Sequence, residues 1–79
     1  MQIKDLASLI AFHRKKAGLT QVELAEFSGV SRFVVQDLEA GNGRTSWRHI
    51  ESILQSLNLE LEPKGSLVEA WRQAKESTK

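Results

Sequence analysis

The chain has 79 residues, no cysteine and a formal net charge of +1. This length allows one domain with a small core, for which dimerisation is a reasonable expectation, and the lack of cysteine excludes disulfides and thiolate metal sites. No apolar run approaches the ~20 residues that span a bilayer, so we expect a soluble, cytoplasmic protein with no membrane association.

An amphipathic helix is predicted from Ile3 to Ala17, before a glycine stop at Gly18. Its apolar residues recur at spacings of three and four, namely Ile3, Leu6, Ala7 and Ile10. The basic run Arg14-Lys15-Lys16 in its last turn either compensates the helix dipole or, at Lys16, contacts a phosphate. His13 has no second His, Cys or carboxylate at a metal-binding spacing, so no metal and no cofactor are expected.

Two short helices joined by a tight turn are predicted between Thr20 and Glu39. Thr20 and Glu23 form a capping box, so the first helix begins at Gln21. Gly29 suits the left-handed backbone of the turn, and Ser31 caps the second helix. The apolar positions at helical spacing are Leu24, Ala25, Val30, Val35 and Leu38. The second helix keeps one polar face, formed by Arg32, Gln36 and Asp37 with Phe33 beside them.

Seven residues of this stretch carry a resemblance to a known family: Gln21, Leu24, Ala25, Gly29, Val30, Val35 and Leu38. Their pattern resembles the helix-turn-helix of the Cro/phage-repressor-like (XRE-type) DNA-binding proteins, in which a small residue lets two helices approach and a glycine makes the turn. The resemblance implies an all-α, lambda-repressor-like helical domain over residues 1–57. It also implies that Arg14 braces Glu39 near the end of the second motif helix.

The resemblance further implies two sets of DNA contacts. Base contacts are expected from Ser31, Arg32, Phe33 and Gln36, and phosphate contacts from Thr20, Gln21, Arg44, Arg48 and Lys16. Arg32 suits guanine O6 and N7, Gln36 suits adenine N6 and N7, and Phe33 suits a thymine methyl. An alternative places Phe33 at the flank of the core. Asp37 would repel phosphate, so we expect it to orient a neighbour.

A glycine-rich loop over residues 40–46 precedes a further helix, which Thr45 or Ser46 caps. Seven of the eleven Lys and Arg residues precede Glu51, against five of the ten acidic residues, and this weak asymmetry agrees with a DNA-facing first half. The stripe of the further helix is Trp47, Ile50, Ile53, Leu54 and Leu57. Trp47 is predicted to pack in the core rather than to stack on a base.

From residue 58 to Pro63 the apolar period changes from 3.6 to 2, which predicts a short strand with Leu59 and Leu61 on one face. A lone strand leaves its backbone groups unpaired, so a second copy is expected to supply the partner strand. The sequence therefore predicts a homodimer, whose symmetry suits a palindromic operator.

Residues 64–79 are predicted to form a C-terminal helix and tail, opened by a capping box of Ser66 and Glu69. Leu67 and Trp71 lie on the apolar side of this helix. Trp71 either packs on the body of the dimer or anchors a partner protein, since tryptophan is enriched at binding hot spots. The sequence leaves both possibilities open.

The order of elements, with the segment SILQSLNLELEP, resembles the HipB-like antitoxin branch of the family. That resemblance implies a transcriptional repressor that binds its own operator as a dimer and neutralises a HipA-like kinase toxin. The alternatives are a stand-alone dimeric repressor and a protein-interaction module that has lost DNA binding. An enzyme is not expected, because neither His13 nor His49 has a nucleophile at the spacing of a triad or dyad.

Overall fold

The structure, a computed structural model, describes residues 1–77, and these form five helices. Helix α1 spans Ile3–Lys16, α2 Gln21–Ser28, α3 Arg32–Ala40, α4 Trp47–Ser56 and α5 Val68–Ser77. The predicted all-α fold is confirmed. None of these helices is long and apolar enough to cross a membrane.

One apolar core is built from a single face of each of the first four helices. Ile10 from α1, Leu24 from α2, Val35 from α3 and Ile53 from α4 are fully buried. Around them pack Leu6, Ala25, Leu38, Ile50 and Leu54. Burial of each such aliphatic side chain contributes roughly 1.5–3 kcal/mol, so this cluster fixes the angles at which the helices cross.

Side-chain caps determine where α2, α3 and α4 begin. The Thr20 hydroxyl accepts the Glu23 N–H at 3.0 Å, and the Glu23 carboxylate accepts the Thr20 N–H at 2.9 Å. Ser31 accepts the Val34 N–H at 3.3 Å at the start of α3. The caps predicted at Thr20 and Ser31 are therefore confirmed. Of the two candidates for α4, Ser46 is the cap.

Trp47 does not pack in the core, contrary to the prediction. It is the first residue of α4 and is 56% exposed. Ile50, Ile53 and Leu54, which follow at helical spacing, already fill the space against the other helices. The indole therefore stands at the edge of the domain.

The strand predicted for residues 58–63 is absent from the single chain. Asn58 instead ends α4 with a left-handed backbone, φ 56°, and the Leu59 N–H donates to the Leu54 carbonyl at 2.8 Å. Residues 59–64 form no ladder, because a strand needs a second strand to pair with and this chain supplies none within residues 1–77. Leu59 and Leu61 pack partly buried against the core.

The C-terminal helix is present but does not begin as predicted. It starts at Val68, and its first turn is held by backbone bonds from Val68 to Gly65 and from Trp71 to Leu67. The predicted capping box of Ser66 and Glu69 is wrong, because the helix begins one residue later than a cap at Ser66 requires. None of the α5 side chains is buried. The last two residues of the predicted tail lie outside the described residues.

Candidate nucleic-acid interface

The α2–α3 pair supports one exposed helix face. Gly29 adopts a left-handed backbone, φ 70°, and the next N–H, that of Val30, donates back to the Ala25 carbonyl at 3.0 Å. Val35 and Leu38 anchor α3 in the core. The turn and the anchors together determine which side of α3 faces solvent.

A part-buried charge network ties this pair to α1. The Arg14 guanidinium donates to both Glu39 carboxylate oxygens, at 2.7 and 2.9 Å, and to the Leu19 carbonyl at 2.8 Å. The Arg14 and Glu39 side chains are only 11% and 7% exposed. The hydrogen bond from Arg14 to Glu39 raises the pKa of Arg14, burial opposes that rise, and the charge of Glu39 adds to it. The brace implied by the family resemblance is confirmed.

Gln21 joins this network, which the sequence did not predict. Its side-chain amide donates to the Glu39 carboxylate at 3.1 Å. Gln21 is the first residue of α2 and Glu39 lies near the end of α3, so the bond links both motif helices. Because one amide hydrogen is occupied here, a phosphate contact from Gln21 has to use the rest of the amide group.

The proposed base-reading residues lie together on the exposed side of α3. Successive residues are about 100° apart around a helix, so Phe33 points almost directly away from Val35 and Leu38. Phe33 is 61% exposed, and its alternative placement at the flank of the core is wrong. The Arg32 guanidinium carbon lies 5.0 Å from the centre of the Phe33 ring, a cation–π contact that restrains the guanidinium.

The remaining base-contact candidates, Gln36 and Ser31, are both exposed, but Ser31 already makes a hydrogen bond within the protein. Gln36 is exposed on the same face, one turn after Arg32. Ser31 is exposed, and its hydroxyl already accepts the Val34 N–H as a cap. A hydroxyl that accepts a cap hydrogen bond still has its own hydrogen to donate. Ser31 is thus equipped for one further contact.

The phosphate-contact candidates are spread over three helices and one loop. Thr20 caps α2, and Arg48 is exposed in the first turn of α4. Arg44, in the loop before α4, is 74% exposed and lies 3.8 Å from Asp37. The Lys16 ammonium lies 5.6 Å from the centre of the Phe12 ring. These DNA contacts remain predictions.

Asp37 contacts a neighbouring side chain, as expected, but the sequence did not identify which one. It was expected to orient a neighbour, and its Oδ1 atom accepts a hydrogen bond from Asn42 at 3.2 Å. Asn42 was not among the predicted functional residues. The Asn42-Gly43 pair could have identified it, because Asn-Gly is typical of a turn, and a turn here brings the chain back toward α3.

A second exposed apolar surface lies at the C-terminal end. Leu67 is 75% and Trp71 51% exposed. They line an apolar hollow of about 430 Å³ together with Pro63, Gly65 and Val68. Among residues 1–77, the His, Asp and Glu side chains form no group able to hold a metal ion.

Comparison with known proteins places this architecture in a family. The family described as "Helix-turn-helix domain" matches residues 5–67. No curated protein matches the sequence. Solved structures do match, and each of the following three is 27% identical to this chain, covering 84% of it and 93% of the other chain. They are a protein named MDT Protein, the HipA-HipB-O2-O3 complex and the HipB-O4 20mer complex, with TM-scores of 0.76, 0.76 and 0.75.

The family match covers four-fifths of the chain and includes α2, α3, α4 and all of α1 except its first two residues. The predicted likeness to HipB is confirmed by the structures that contain it. The chain has a tightly turned pair of motif helices, with α3 anchored in the core and its polar face exposed, and it is a member of the helix-turn-helix domain family of DNA-binding proteins.

Proposed function

We propose that this protein is a cytoplasmic, non-enzymatic repressor that acts as the antitoxin of a toxin-antitoxin pair. It binds its own palindromic operator as a homodimer and neutralises a HipA-like kinase toxin. The observation that carries the proposal is the exposed face of α3, with Arg32, Phe33 and Gln36, in a chain that resembles HipB over 93% of that chain's length.

DNA binding follows from the chemistry of that face. With α3 in the major groove, Arg32 donates two hydrogen bonds to guanine, and Gln36 pairs with adenine. Each such bidentate contact contributes ~1–3 kcal/mol of discrimination against a wrong base. Phosphate contacts from Thr20, Arg44 and Arg48 set the register of the helix on the duplex.

Dimerisation is proposed to use the segment that follows α4. Trp47, Leu54, Leu59 and Leu61 contribute to a hollow of about 310 Å³ that the single chain leaves open. A second copy that pairs its own residues 58–63 with this segment satisfies the backbone groups of both chains. It also covers the indole of Trp47, which is costly to leave in water.

Toxin binding is proposed to use Leu67 and Trp71. A partner that covers both side chains removes a large apolar surface from water, and exposed tryptophans of this kind are typical binding anchors. Among the described residues after α4, Leu67 and Trp71 are the exposed large hydrophobic side chains.

The DNA-binding part is tested by measuring operator affinity as a function of salt. Each phosphate neutralised lowers the logarithm of the affinity by about 0.9 per logarithm of salt concentration. We expect a steep slope and a preference for the native upstream sequence over shuffled DNA. A flat slope with no sequence preference would instead favour the interaction module that has lost DNA binding.

The antitoxin part is tested with the reading frame adjacent to the gene. That frame is expressed with and without this chain, and surviving colonies are counted. We expect growth arrest that co-expression relieves, with the two proteins copurifying and the Trp71→Ala variant failing to rescue. No arrest and no copurification, together with intact operator binding, would leave a stand-alone dimeric repressor.

A further inference from the structure

Asp37 lies on the exposed polar face of α3, which is proposed to contact DNA, and a negative charge there needs an explanation. At about 100° per residue, Gln36 and Asp37 flank Phe33 on either side, about 60° and 40° away from it. Phe33 is the residue that points most directly away from the core. The Asp37 side chain is 48% exposed. With α3 in the major groove, a carboxylate in this place faces the bases beside Gln36, while Arg32 lies at the opposite edge of the same exposed face.

Two residues of the loop after α3 hold this carboxylate by one of its oxygens. The Asn42 side-chain amide donates to Oδ1 at 3.2 Å, and the Arg44 guanidinium lies 3.8 Å from the same atom. Asn42 also accepts the Arg44 N–H at 3.1 Å, which fixes the loop. The other oxygen, Oδ2, has no partner within residues 1–77.

This arrangement reduces the usual cost of placing an acid near DNA. Phosphates repel a carboxylate, but the guanidinium of Arg44 stands next to Asp37 and offsets its charge. The restraint on Oδ1 also lowers the side-chain entropy lost when Oδ2 is engaged. Asp37 is thereby a prearranged hydrogen-bond acceptor on a surface otherwise equipped with donors.

We propose that Asp37 determines specificity for cytosine, its Oδ2 accepting a hydrogen bond from the exocyclic N4 amine in the major groove. This inference rests on the operator binding proposed above. Cytosine fits because its edge of the groove offers a donor, whereas guanine offers the acceptors O6 and N7, which repel a carboxylate. Adenine places the acceptor N7 beside its amine, and thymine presents O4 and a methyl group. Asn42 and Arg44 act as positioning residues through Oδ1.

The first test compares the sequences selected from a library of randomised half-sites. The proteins are the wild type, Asp37→Asn and the charge-matched control Glu69→Gln, which alters an exposed acid on α5. We expect the wild type to select cytosine at one position of each half-site. Asp37→Asn should lower that preference by roughly 5- to 100-fold and leave the other positions unchanged, and Glu69→Gln should match the wild type.

Two contrary outcomes are distinguishable. If Asp37→Asn selects the same base at every position with undiminished discrimination, Asp37 does not read a base, while operator binding stands. If the wild type itself shows no base preference, both operator recognition and the role of Asp37 are wrong.

The second test removes the amine from the DNA. Pyrimidin-2-one, which lacks the exocyclic amine, replaces the selected cytosine, and affinities are measured for the wild type and Asp37→Asn. Weaker pairing of the analogue with guanine affects both proteins equally, so the difference between the two losses reports the contact alone. We expect the wild type to lose roughly 5- to 100-fold more than the variant. Equal losses would overturn the proposal.

The positioning role of Asn42 is tested with Asn42→Ala in the same half-site selection. A residue that acts through Asp37 should reduce discrimination at the cytosine position and leave the guanine and adenine positions intact. An equal loss at every position would show that Asn42 supports only the loop, and would overturn that part of the proposal.

Discussion

Arg14 and Glu39 form an ion pair that lies almost entirely out of water. Their side chains are 11% and 7% exposed and share two hydrogen bonds, with Gln21 and the Leu19 carbonyl as further partners. Removing one member of such a pair leaves the other charge buried without compensation. The pair therefore holds α1 and α3 in one geometry.

Glu39→Ala is expected to lower the free energy of unfolding by ~3–5 kcal/mol, measured by urea denaturation. The control is Arg44→Ala, which breaks the exposed pair with Asp37 and should cost at most ~1 kcal/mol. The double variant Arg14→Met/Glu39→Leu should recover part of the loss, because it leaves no buried charge. Similar costs for Glu39→Ala and Arg44→Ala would contradict this role of the buried pair.

The pH dependence of this pair follows from the raised pKa of Arg14. A cation with a raised pKa in the folded state contributes stability that is complete below its unfolded pKa and is lost as the pH rises through the folded pKa. For arginine both values lie far above neutral pH. Titration of Arg14 should therefore leave stability unchanged between about pH 6 and pH 9, as thermal unfolding across that range would reveal.

Arg32 reads bases in our proposal, so Arg32→Ala should weaken operator binding by ~1–3 kcal/mol without loss of helical circular dichroism. The loss should be confined to the guanine position. The control Arg48→Ala removes a phosphate contact and should weaken binding to all sequences alike, with a salt slope smaller by about 0.9. An unchanged operator preference in Arg32→Ala would remove this residue from the base-reading set.

At the scale of the elements, the turn between α2 and α3 depends on Gly29. Its φ of 70° lies in the left-handed region, and no other atom lies within 4 Å of an added Cβ. A substitution there costs backbone strain without a steric clash. Gly41, which ends α3, combines a φ of 72° with a Lys4 side-chain carbon 3.4 Å from the added Cβ.

Gly29→Ala is expected to destabilise the protein by ~1–2 kcal/mol, the cost of a left-handed backbone for an L-residue. Gly41→Ala should cost at least as much, because the contact with Lys4 adds to the same strain. Gly65→Ala is the control, since Gly65 has no positive φ and an added Cβ meets Val68 at an ordinary 3.6 Å. Denaturation midpoints that place Gly65→Ala below Gly29→Ala would contradict the strain argument.

At the scale of the whole molecule, the proposed dimer depends on residues 58–63. Leu61→Pro removes a backbone N–H that a paired strand requires, so this variant should be monomeric by light scattering. Ser66→Pro is the control, because it lies outside the segment and just before α5, where proline is tolerated. A dimeric Leu61→Pro variant would exclude the paired strands.

Local sequence pattern was sufficient to predict the helical class, the residues at which α2 and α3 begin, and most of the core. These depend on local physics: the hydroxyl of Thr20 or Ser31 reaches an N–H three residues away, and the spacing of apolar residues decides which face is buried. Gly29 was identifiable because few other residues adopt its backbone conformation. The Arg14 and Glu39 brace was implied by the family resemblance rather than by local pattern.

Other features depend on how the helices pack and on the path of the loops, and these could be seen only in the folded structure. Trp47 is exposed because other α4 residues fill the core, and Gln21 meets Glu39 because α2 and α3 pack side by side. The Asp37 carboxylate is held by a loop whose path no local pattern specifies. The strand predicted over residues 58–63 is absent from the single chain for a similar reason, since β-structure requires a partner strand and residues 1–77 of one chain supply none.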